Sequence, residues 1–430
     1  MTGLPWFAYR DGQLCAEGVP LTKIAAEVGT PAYVYSRAAL DDRYKTLAEA
    51  FAGLPVLIAY AVKANASLAV LRRFGELGAG ADVVSGGELQ LAVKAGIAPG
   101  RIIFAGVGKT REEMALAIKA GNTGIAQFNV ESEPELQALS DVAQSLGVQV
   151  PVAIRINPDV DAKTHKKITT GKAENKFGIP HSRALDVYAE GARLPGLKMT
   201  GVHVHIGSQL TDLTPFAETF ERVADLVKSL RAAGHDIRRV DLGGGLGIQY
   251  NDETPPDVRA YADLVRKHIA PLGCEIALEP GRFLVGNAGL LLTRVTFVKR
   301  AEEKTFLILD AGMNDLVRPA MYEAYHRIVP VKAPNPDAPL MPVDIVGPVC
   351  ETGDTFAQAR PMPPVEQGDF LAILSAGAYS SSMASMYNAR PLAPEVMVHG
   401  DRFAITRRRP SIEDMTALEI APAWSSEAKA

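Results

Sequence analysis

The sequence has few cysteines and no long apolar stretch. Its 430 residues include only three cysteines, Cys15, Cys274 and Cys350, which excludes a disulfide framework, and their spacing matches no metal-binding pattern. No apolar stretch approaches the length that crosses a bilayer. The first residues lack a basic segment followed by an apolar core, so we expect no signal peptide. These absences together predict a cytoplasmic protein without a membrane partner.

The sequence also lacks a strong excess of one charge. Its formal net charge is -4 and its isoelectric point is about 6.1, which gives no support for a nucleic-acid partner. Hydrophobic residues make up 47% and charged residues 22% of the chain, as is typical of globular proteins. The length suffices for two domains, or for one large barrel with an added module.

Apolar runs alternate with helical patterns through the first two thirds of the chain. This alternation is typical of a parallel (β/α)8 TIM barrel, which we place at residues 36–284. Its predicted strands are Val56–Val62, Ala81–Ser85, Ile102–Ala105, Gly124–Val130, Val150–Asn157, Met199–Ile206, Ile237–Leu242 and Cys274–Glu279.

The pattern changes from about Ala288, where short strand-like runs alternate with Pro- and Gly-rich connections. This pattern predicts a second domain with an antiparallel β-sandwich or barrel-like structure, formed by residues 1–35 and 285–430. The strand-like segment Thr30–Ser36 precedes the barrel and is assigned to that second sheet. The long polar loop Asp159–Ile179 is expected to be functional or mobile.

Lys63 carries the clearest chemical signal, since it follows the first predicted strand directly. A lysine that is desolvated among apolar neighbours has a lowered pKa, and its free amine suits Schiff-base chemistry with an aldehyde. The alternative is a lysine that reaches solvent or pairs with a nearby acid.

Polar residues follow or end most of the other predicted strands as well. Reactive groups of a (β/α)8 barrel collect at the carboxyl ends of its strands, so we expect these side chains to lie at one rim. They are Asn65, Asp82, Ser85, Arg155, Asn157, His203, His205, Ser208, Gly243, Gly244, Gly245, Glu279 and Arg282.

The glycine triplet Gly243–Gly245 follows the seventh predicted strand. Such a loop lets backbone N–H groups approach a phosphate closely, and barrel enzymes often bind a phosphate after strands seven and eight. The spacing does not fit the dinucleotide fingerprint. A tight turn is the alternative interpretation.

His203 and His205 allow two interpretations. An H-x-H pair with Asp241 could bind zinc in a barrel hydrolase, although the glycine triplet has no role in such a site. Alternatively, His205 stacks on a planar cofactor ring. Glu279 favours this second interpretation, because a carboxylate beside a pyridine nitrogen keeps that nitrogen protonated. A simple ion pair with Arg282 is the alternative for Glu279.

Lys63, the glycine triplet, His205 and Glu279 together make up the binding set of pyridoxal 5'-phosphate. In these residues and the motifs around them, the chain resembles the diaminopimelate decarboxylases. That family carries pyridoxal phosphate on an alanine-racemase-like barrel. The resemblance covers nearly the whole chain. Its motifs are Ala61–Asn65, His203–Gln209, Asp241–Ile248, Glu279–Arg282, Arg318–Tyr322, Gly347–Glu351 and Gly377–Tyr379.

The resemblance implies decarboxylation of meso-2,6-diaminopimelate to L-lysine and CO2, the last step of lysine biosynthesis. It implies that Lys63, His205 and Cys350 are catalytic, with Cys350 returning a proton after CO2 leaves. The implied cofactor-binding residues are Lys63, Asp82, His205, Ser208, Gly243, Gly244, Gly245, Glu279, Gly281, Arg282 and Tyr379. The implied substrate-binding residues are Arg282, Arg318, Tyr322, Glu351 and Tyr379.

The resemblance further implies a homodimer with shared active sites, because Cys350 and Glu351 come from the neighbouring subunit in this family. An ornithine- or arginine-type decarboxylase of the polyamine pathway is the nearest alternative function, and a racemase or a non-enzymatic cofactor carrier are others. Arg318 with Tyr322 favours diaminopimelate, because a diamine-forming site has no second carboxylate to bind.

Overall fold

A computed structural model describes residues 3–122, 124–160, 176–422 and 424. Most of the polar loop predicted at residues 159–179 therefore lies outside the described residues. Eight parallel strands form a closed barrel, as the sequence predicts, and each lies within two to three residues of its expected bounds. The strands are Val56–Ala61, Gly80–Val83, Ile102–Phe104, Gln127–Val130, Val150–Asn157, Leu197–His203, Arg239–Asp241 and Glu275–Leu278.

The barrel closes where its last strand pairs with its first. Leu278 lies opposite Ile58 in parallel register, and every other neighbouring pair follows the order of the chain. Because all strands are parallel, their carboxyl ends meet at one rim. Most residues of these strands are buried, since both faces of such a sheet are covered.

Helices pack around the barrel between successive strands. Glu133–Ser145 illustrates why they form: the Ser132 side chain accepts the Glu135 N–H at the amino end, and Leu136 and Leu139 are buried one turn apart. The barrel helices are Arg37–Ala50, Leu68–Glu76, Gly86–Lys94, Arg111–Ile118, Glu133–Ser145, Ala184–Gly191, Thr214–Ala232, Val258–His268 and the short Arg282–Val285. No helix among the described residues is long and apolar enough to cross a membrane.

A second, mostly antiparallel sheet follows the barrel, as predicted. Ala32–Ser36 lies inside this sheet, between Gly289–Arg300 and Glu395–His399. Two of its strand pairs are parallel, which the sequence pattern did not indicate. Its other strands are Thr305–Leu309, Ile328–Pro330, Met341–Val346, Thr355–Met362, Phe370–Ile373 and Arg402–Arg407.

Smaller elements complete the described chain. Three short strands at its beginning form a separate small sheet, and they are Phe7–Arg10, Gln13–Ala16 and Val19–Pro20. The helices outside the barrel are Leu21–Val28, Arg318–Tyr322 and Ile412–Thr416, and a short strand, Ile179–Pro180, pairs with the end of the fifth barrel strand.

Backbone contacts around Gly377 hold the second sheet against the barrel rim. The Asn65 side chain donates to the Gly377 carbonyl at 3.0 Å, and the Tyr379 N–H donates to the Ala64 carbonyl at 2.8 Å. A Cβ at Gly377 would lie only 1.8 Å from the Val285 carbonyl oxygen. The close approach of the two units therefore requires glycine at this position.

We expect Gly377→Ala to destabilise the protein by about 2–4 kcal/mol, because the new methyl group forces two backbones apart. The measurement is the midpoint of thermal unfolding. Gly108→Ala is the control, since no atom lies within 4 Å of the Cβ position at Gly108. Equal midpoints for the two variants would contradict the tight junction.

Candidate active site

The barrel rim and the second sheet enclose two adjoining cavities. We call inner cavity the space lined by Lys63, His205, Ser208, Gly243, Gly244, Gly245, Glu279, Gly281, Arg282 and Tyr379. We call outer cavity the adjoining space, which shares several of these residues and adds Gln209, Tyr250, Glu253, Arg318, Tyr322, Ala324, Tyr325 and Met383. The structure thus brings together most of the site residues that the sequence suggested.

Lys63 lies in a short turn after the first barrel strand, with its side chain directed to the inner cavity. Its Nζ donates to Asp82 Oδ2 at 2.8 Å, and Asp82 is fully buried. Burial alone would lower the pKa of Lys63, but the charges of Asp82 and Glu279 outweigh it and raise this pKa. The expected low pKa is therefore wrong for this arrangement, and Lys63 pairs with an acid.

Glu279 directly follows the last barrel strand, and it is a buried residue that lines the inner cavity. Asn129 Nδ2 donates to Glu279 Oε1 at 3.1 Å and to Asp241 Oδ2 at 2.9 Å. Burial, with the nearby charge of Asp82, raises the pKa of Glu279 above its usual range. The alternative of a Glu279–Arg282 ion pair is wrong, because Arg282 instead donates to Tyr250 and Ser208.

The two histidines have different surroundings. His205 lines both cavities, and its Nδ1 accepts the Gly244 N–H at 3.2 Å, so this nitrogen carries no proton. His203 lies deeper, with Nε2 at 3.3 Å from Glu279 Oε2, and burial lowers its pKa to about 4. Both imidazoles are therefore neutral near pH 7.

The zinc interpretation depends on the two histidines sharing one metal. Among the described residues, His203, Asp241 and Glu279 can bring ligand atoms within 4.8 Å of one another, but His205 does not belong to this group. The H-x-H chelate is therefore not formed. His205 instead contacts the glycine loop at the cavity wall.

The glycine triplet passes close to neighbouring backbone. A Cβ at Gly244 would lie 2.3 Å from the Glu279 carbonyl oxygen, and Gly243 and Gly245 have φ values of +66° and +113°. Only glycine satisfies these positions. The triplet faces the same cavity as Ser208, whose Oγ accepts from Arg282 Nη2 at 3.0 Å.

These surroundings fit pyridoxal phosphate. A primary amine, a buried carboxylate, glycine backbone and an arginine all line the same cavity. Asp82 also has a buried oxygen, Oδ1, without a hydrogen-bond partner among the described residues. A protonated group near these buried carboxylates would stabilise the charges that burial destabilises.

Two arginines face the outer cavity, and both are buried. Arg282 Nη1 donates to the Tyr250 hydroxyl at 2.7 Å. Arg318 Nη1 contacts His326 Nε2 at 2.9 Å, and its guanidinium carbon lies 4.8 Å from the centre of the Tyr250 ring. Tyr322 lines the same cavity.

The sequence did not predict Tyr250, His326, Asn129 or Glu253 as residues of this site, and it indicated Gln209 only as the last residue of the motif His203–Gln209. Tyr250 follows the glycine loop by five residues and His326 follows Tyr322 by four, so their nearness to known motifs was the available signal. Asn129 offered only its place inside a predicted strand.

Tyr379 connects the two cavities, since it lines both. The Arg282 guanidinium carbon lies 4.8 Å from the centre of the Tyr379 ring. A Cβ at Gly281 would approach Ala64 to 3.0 Å and the Tyr379 hydroxyl to 3.4 Å, so glycine keeps this contact open.

Cys350 and Glu351 do not line the cavities of their own chain. Both are exposed in a loop after the strand Met341–Val346. The loop is held from within: the Cys350 N–H donates to Asn388 Oδ1 at 2.7 Å, and the Val349 N–H donates to Asp354 Oδ2 at 2.7 Å.

Comparison with known proteins gives a consistent assignment. Residues 37–286 match the family model described as pyridoxal-dependent decarboxylase, pyridoxal binding domain. The diaminopimelate decarboxylase of Zymomonas mobilis is 50% identical and covers 97% of this chain and 99% of its own length. That of Neisseria meningitidis serogroup B is also 50% identical, covering 95% and 97%.

Solved structures agree with these relatives. The diaminopimelate decarboxylase of Helicobacter pylori, complexed with L-lysine, has a TM-score of 0.88 and 43% identity, covering 93% of this chain and 99% of that one. The enzyme from M. jannaschii has a TM-score of 0.92 and 40% identity, covering 98% and 99%. The chain belongs to the diaminopimelate decarboxylases, within the pyridoxal-dependent decarboxylase family.

Proposed function

We propose that the protein decarboxylates meso-2,6-diaminopimelate to L-lysine and CO2 with pyridoxal 5'-phosphate as its cofactor. The observation that carries this proposal is the pair of buried arginines in the outer cavity. Among the described residues, no carboxylate lies within 4.0 Å of either guanidinium group. Arginine binds carboxylates through its planar fork, so this cavity suits a substrate with a far carboxylate.

The residues of the inner cavity would hold the cofactor. Pyridoxal phosphate supplies an electron sink for the charge that the substrate carbon gains when CO2 leaves. Lys63 would provide the amine for its attachment, Glu279 would interact with its ring nitrogen, and His205 would contact its ring. Its phosphate would be bound by Ser208, Gly243, Gly244, Gly245, Gly281 and Arg282.

Substrate binding is assigned to Arg318, Tyr322, Arg282 and Tyr379. The product L-lysine keeps the carboxylate at the end that does not react, so the site must bind a carboxylate away from Lys63. The L-lysine complex of the Helicobacter pylori enzyme supports this assignment. A diamine-forming decarboxylase has no far carboxylate to bind, and so no use for Arg318 without an acidic partner.

A second copy of the chain would supply Cys350 and Glu351. Their exposure, outside the cavities of their own chain, supports a homodimer in which each subunit completes the site of the other. Cys350 would return a proton to the substrate carbon, and Glu351 would bind the far ammonium group. The cytoplasmic location stays a prediction from the sequence.

The substrate is tested with a panel of amino acids. We expect CO2 release from meso-diaminopimelate and at least 100-fold lower kcat/KM for ornithine and arginine, because a missing charge-assisted contact costs about 1.5–3 kcal/mol and two are lost. The measurement is CO2 release by the purified holoenzyme. A preference for ornithine or arginine would assign the protein to the polyamine-pathway decarboxylases instead.

Lys63→Ala should abolish the visible absorption band of the bound cofactor, because no other amine of the described inner cavity can replace Lys63. Activity should fall by at least 1000-fold, on the order of the loss of a covalent catalytic group. Lys94→Ala, at an exposed helix end, is the control and should keep both band and activity. A normal band in the Lys63 variant would remove Lys63 from its assigned role.

Shared sites are tested by exchanging subunits. Lys63→Ala and Cys350→Ala proteins should each be inactive, whereas a 1:1 mixture with randomly exchanged subunits should regain about one quarter of wild-type activity, because about half of its dimers are mixed. One site of each mixed dimer then has both Lys63 and Cys350 intact. Exchanged dimers without any recovery would contradict the shared arrangement, and mass measurement of the mixture would verify the exchange.

A further inference from the structure

Among the described contacts, Arg318 is paired with a histidine and a tyrosine where a carboxylate would be expected. It is buried, and its Nη1 lies 2.9 Å from His326 Nε2. The Tyr250 ring packs against the guanidinium group, with 4.8 Å between the guanidinium carbon and the ring centre. A buried charge usually has an opposite charge beside it, so the absence of a carboxylate among these partners of Arg318 suggests that its charge serves to bind a ligand.

The hydrogen bonds of His326 fix its proton. Its Nδ1 lies 2.9 Å from the Leu374 carbonyl oxygen, which can only accept, so Nδ1 donates. Arginine can only donate, so Nε2 must offer its lone pair to Arg318. The Leu374 N–H donates to the Arg327 carbonyl at 2.8 Å, which holds the Leu374 residue in place.

The electrostatic surroundings keep this imidazole neutral. His326 is 1% exposed, and burial together with the charge of Arg318 lowers its pKa to about 3. Arg282 and Arg360 also oppose its protonation. The imidazole therefore orients the Arg318 guanidinium and leaves its positive charge uncompensated. A carboxylate at this position would cancel that charge.

We propose that His326 is a positioning residue that makes the site select molecules with a carboxylate at the far end. Its neutral nitrogen aims Arg318 into the outer cavity and leaves the charge available to the ligand. Tyr250 supports both arginines beside it, since its hydroxyl accepts from Arg282 and its ring packs against Arg318. The inference rests on the proposed function and names a determinant of its specificity.

L-Lysine and cadaverine are suitable probes, since they differ only in one carboxylate. The ratio of their dissociation constants on the holoenzyme, measured by calorimetry, isolates the contribution of that carboxylate. This ratio does not depend on turnover. The kcat and KM for meso-diaminopimelate are measured beside it.

Three substitutions separate the two properties of His326, namely the acceptor that orients Arg318 and the absence of charge. His326→Gln keeps an acceptor near the Nε2 position, whereas His326→Asn keeps only the donor toward Leu374. His326→Glu has the shape of glutamine but adds a negative charge next to Arg318. The Asn and Gln pair therefore tests orientation, and the Gln and Glu pair tests neutrality.

We expect His326→Asn to reduce the preference for L-lysine over cadaverine by about tenfold or more, since a charge-assisted hydrogen bond loses its geometry. His326→Glu should reduce the preference at least as much, and His326→Gln by no more than about threefold. The KM for meso-diaminopimelate should rise in the same order, with a smaller change in kcat.

The cofactor absorption band and the thermal midpoint verify that each variant is folded. If His326→Asn does not fold, the comparison of the Gln and Glu variants decides alone. Equal ratios in all folded variants would overturn the role of His326. A wild-type enzyme that neither decarboxylates meso-diaminopimelate nor prefers L-lysine to cadaverine would overturn the proposed function as well, whereas an active wild type with unchanged variant ratios overturns only this inference.

Discussion

Three buried carboxylates beneath the inner cavity constrain the rest of the site. Asp82, Asp241 and Glu279 are at most 4% exposed, and among the described contacts Lys63 is the cation that bonds one of them. Burial raises the pKa of Asp241 to about 7 and that of Glu279 above its usual range. A cationic or protonated group beside these carboxylates would therefore stabilise them, and the ring nitrogen of the cofactor would be such a group.

The lining of the outer cavity includes two arginines. Arg282 belongs to the short helix after the last barrel strand, and Arg318 to a short helix between strands of the second sheet. The barrel and the second domain therefore each contribute one arginine. Buried carboxylates at the inner cavity and two arginines at the outer cavity suit a long molecule with amino and carboxyl groups at both ends. The distance between the buried carboxylates and Arg318 depends on how closely the second sheet approaches the barrel rim, and Gly377 permits that approach.

Much of this site is encoded locally, and the sequence predicts that part. Strand ends and motifs around Lys63, Gly243–Gly245 and Glu279 involve neighbours within a few residues. Other features depend on contacts far apart in the chain: Asn129 bonds Asp241 across 112 positions, and His326 bonds Leu374 across 48. The raised pKa of Lys63 likewise depends on Asp82 in the next strand, which explains why the expected direction was wrong. The domain boundaries stay predictions.

The loop of Cys350 and Glu351 shows how the proposed homodimer could form without a large ordering penalty. Asp354 accepts the Val349 and Met313 N–H groups, and Asn388 accepts that of Cys350, so the chain's own bonds fix this exposed loop. Association would then bring an ordered loop to the partner's cavity, and the conformational entropy of binding stays small. A loop ordered only on contact would spend part of the association energy on its own folding. The internal bonds of the loop therefore favour a stable shared site over a transient one.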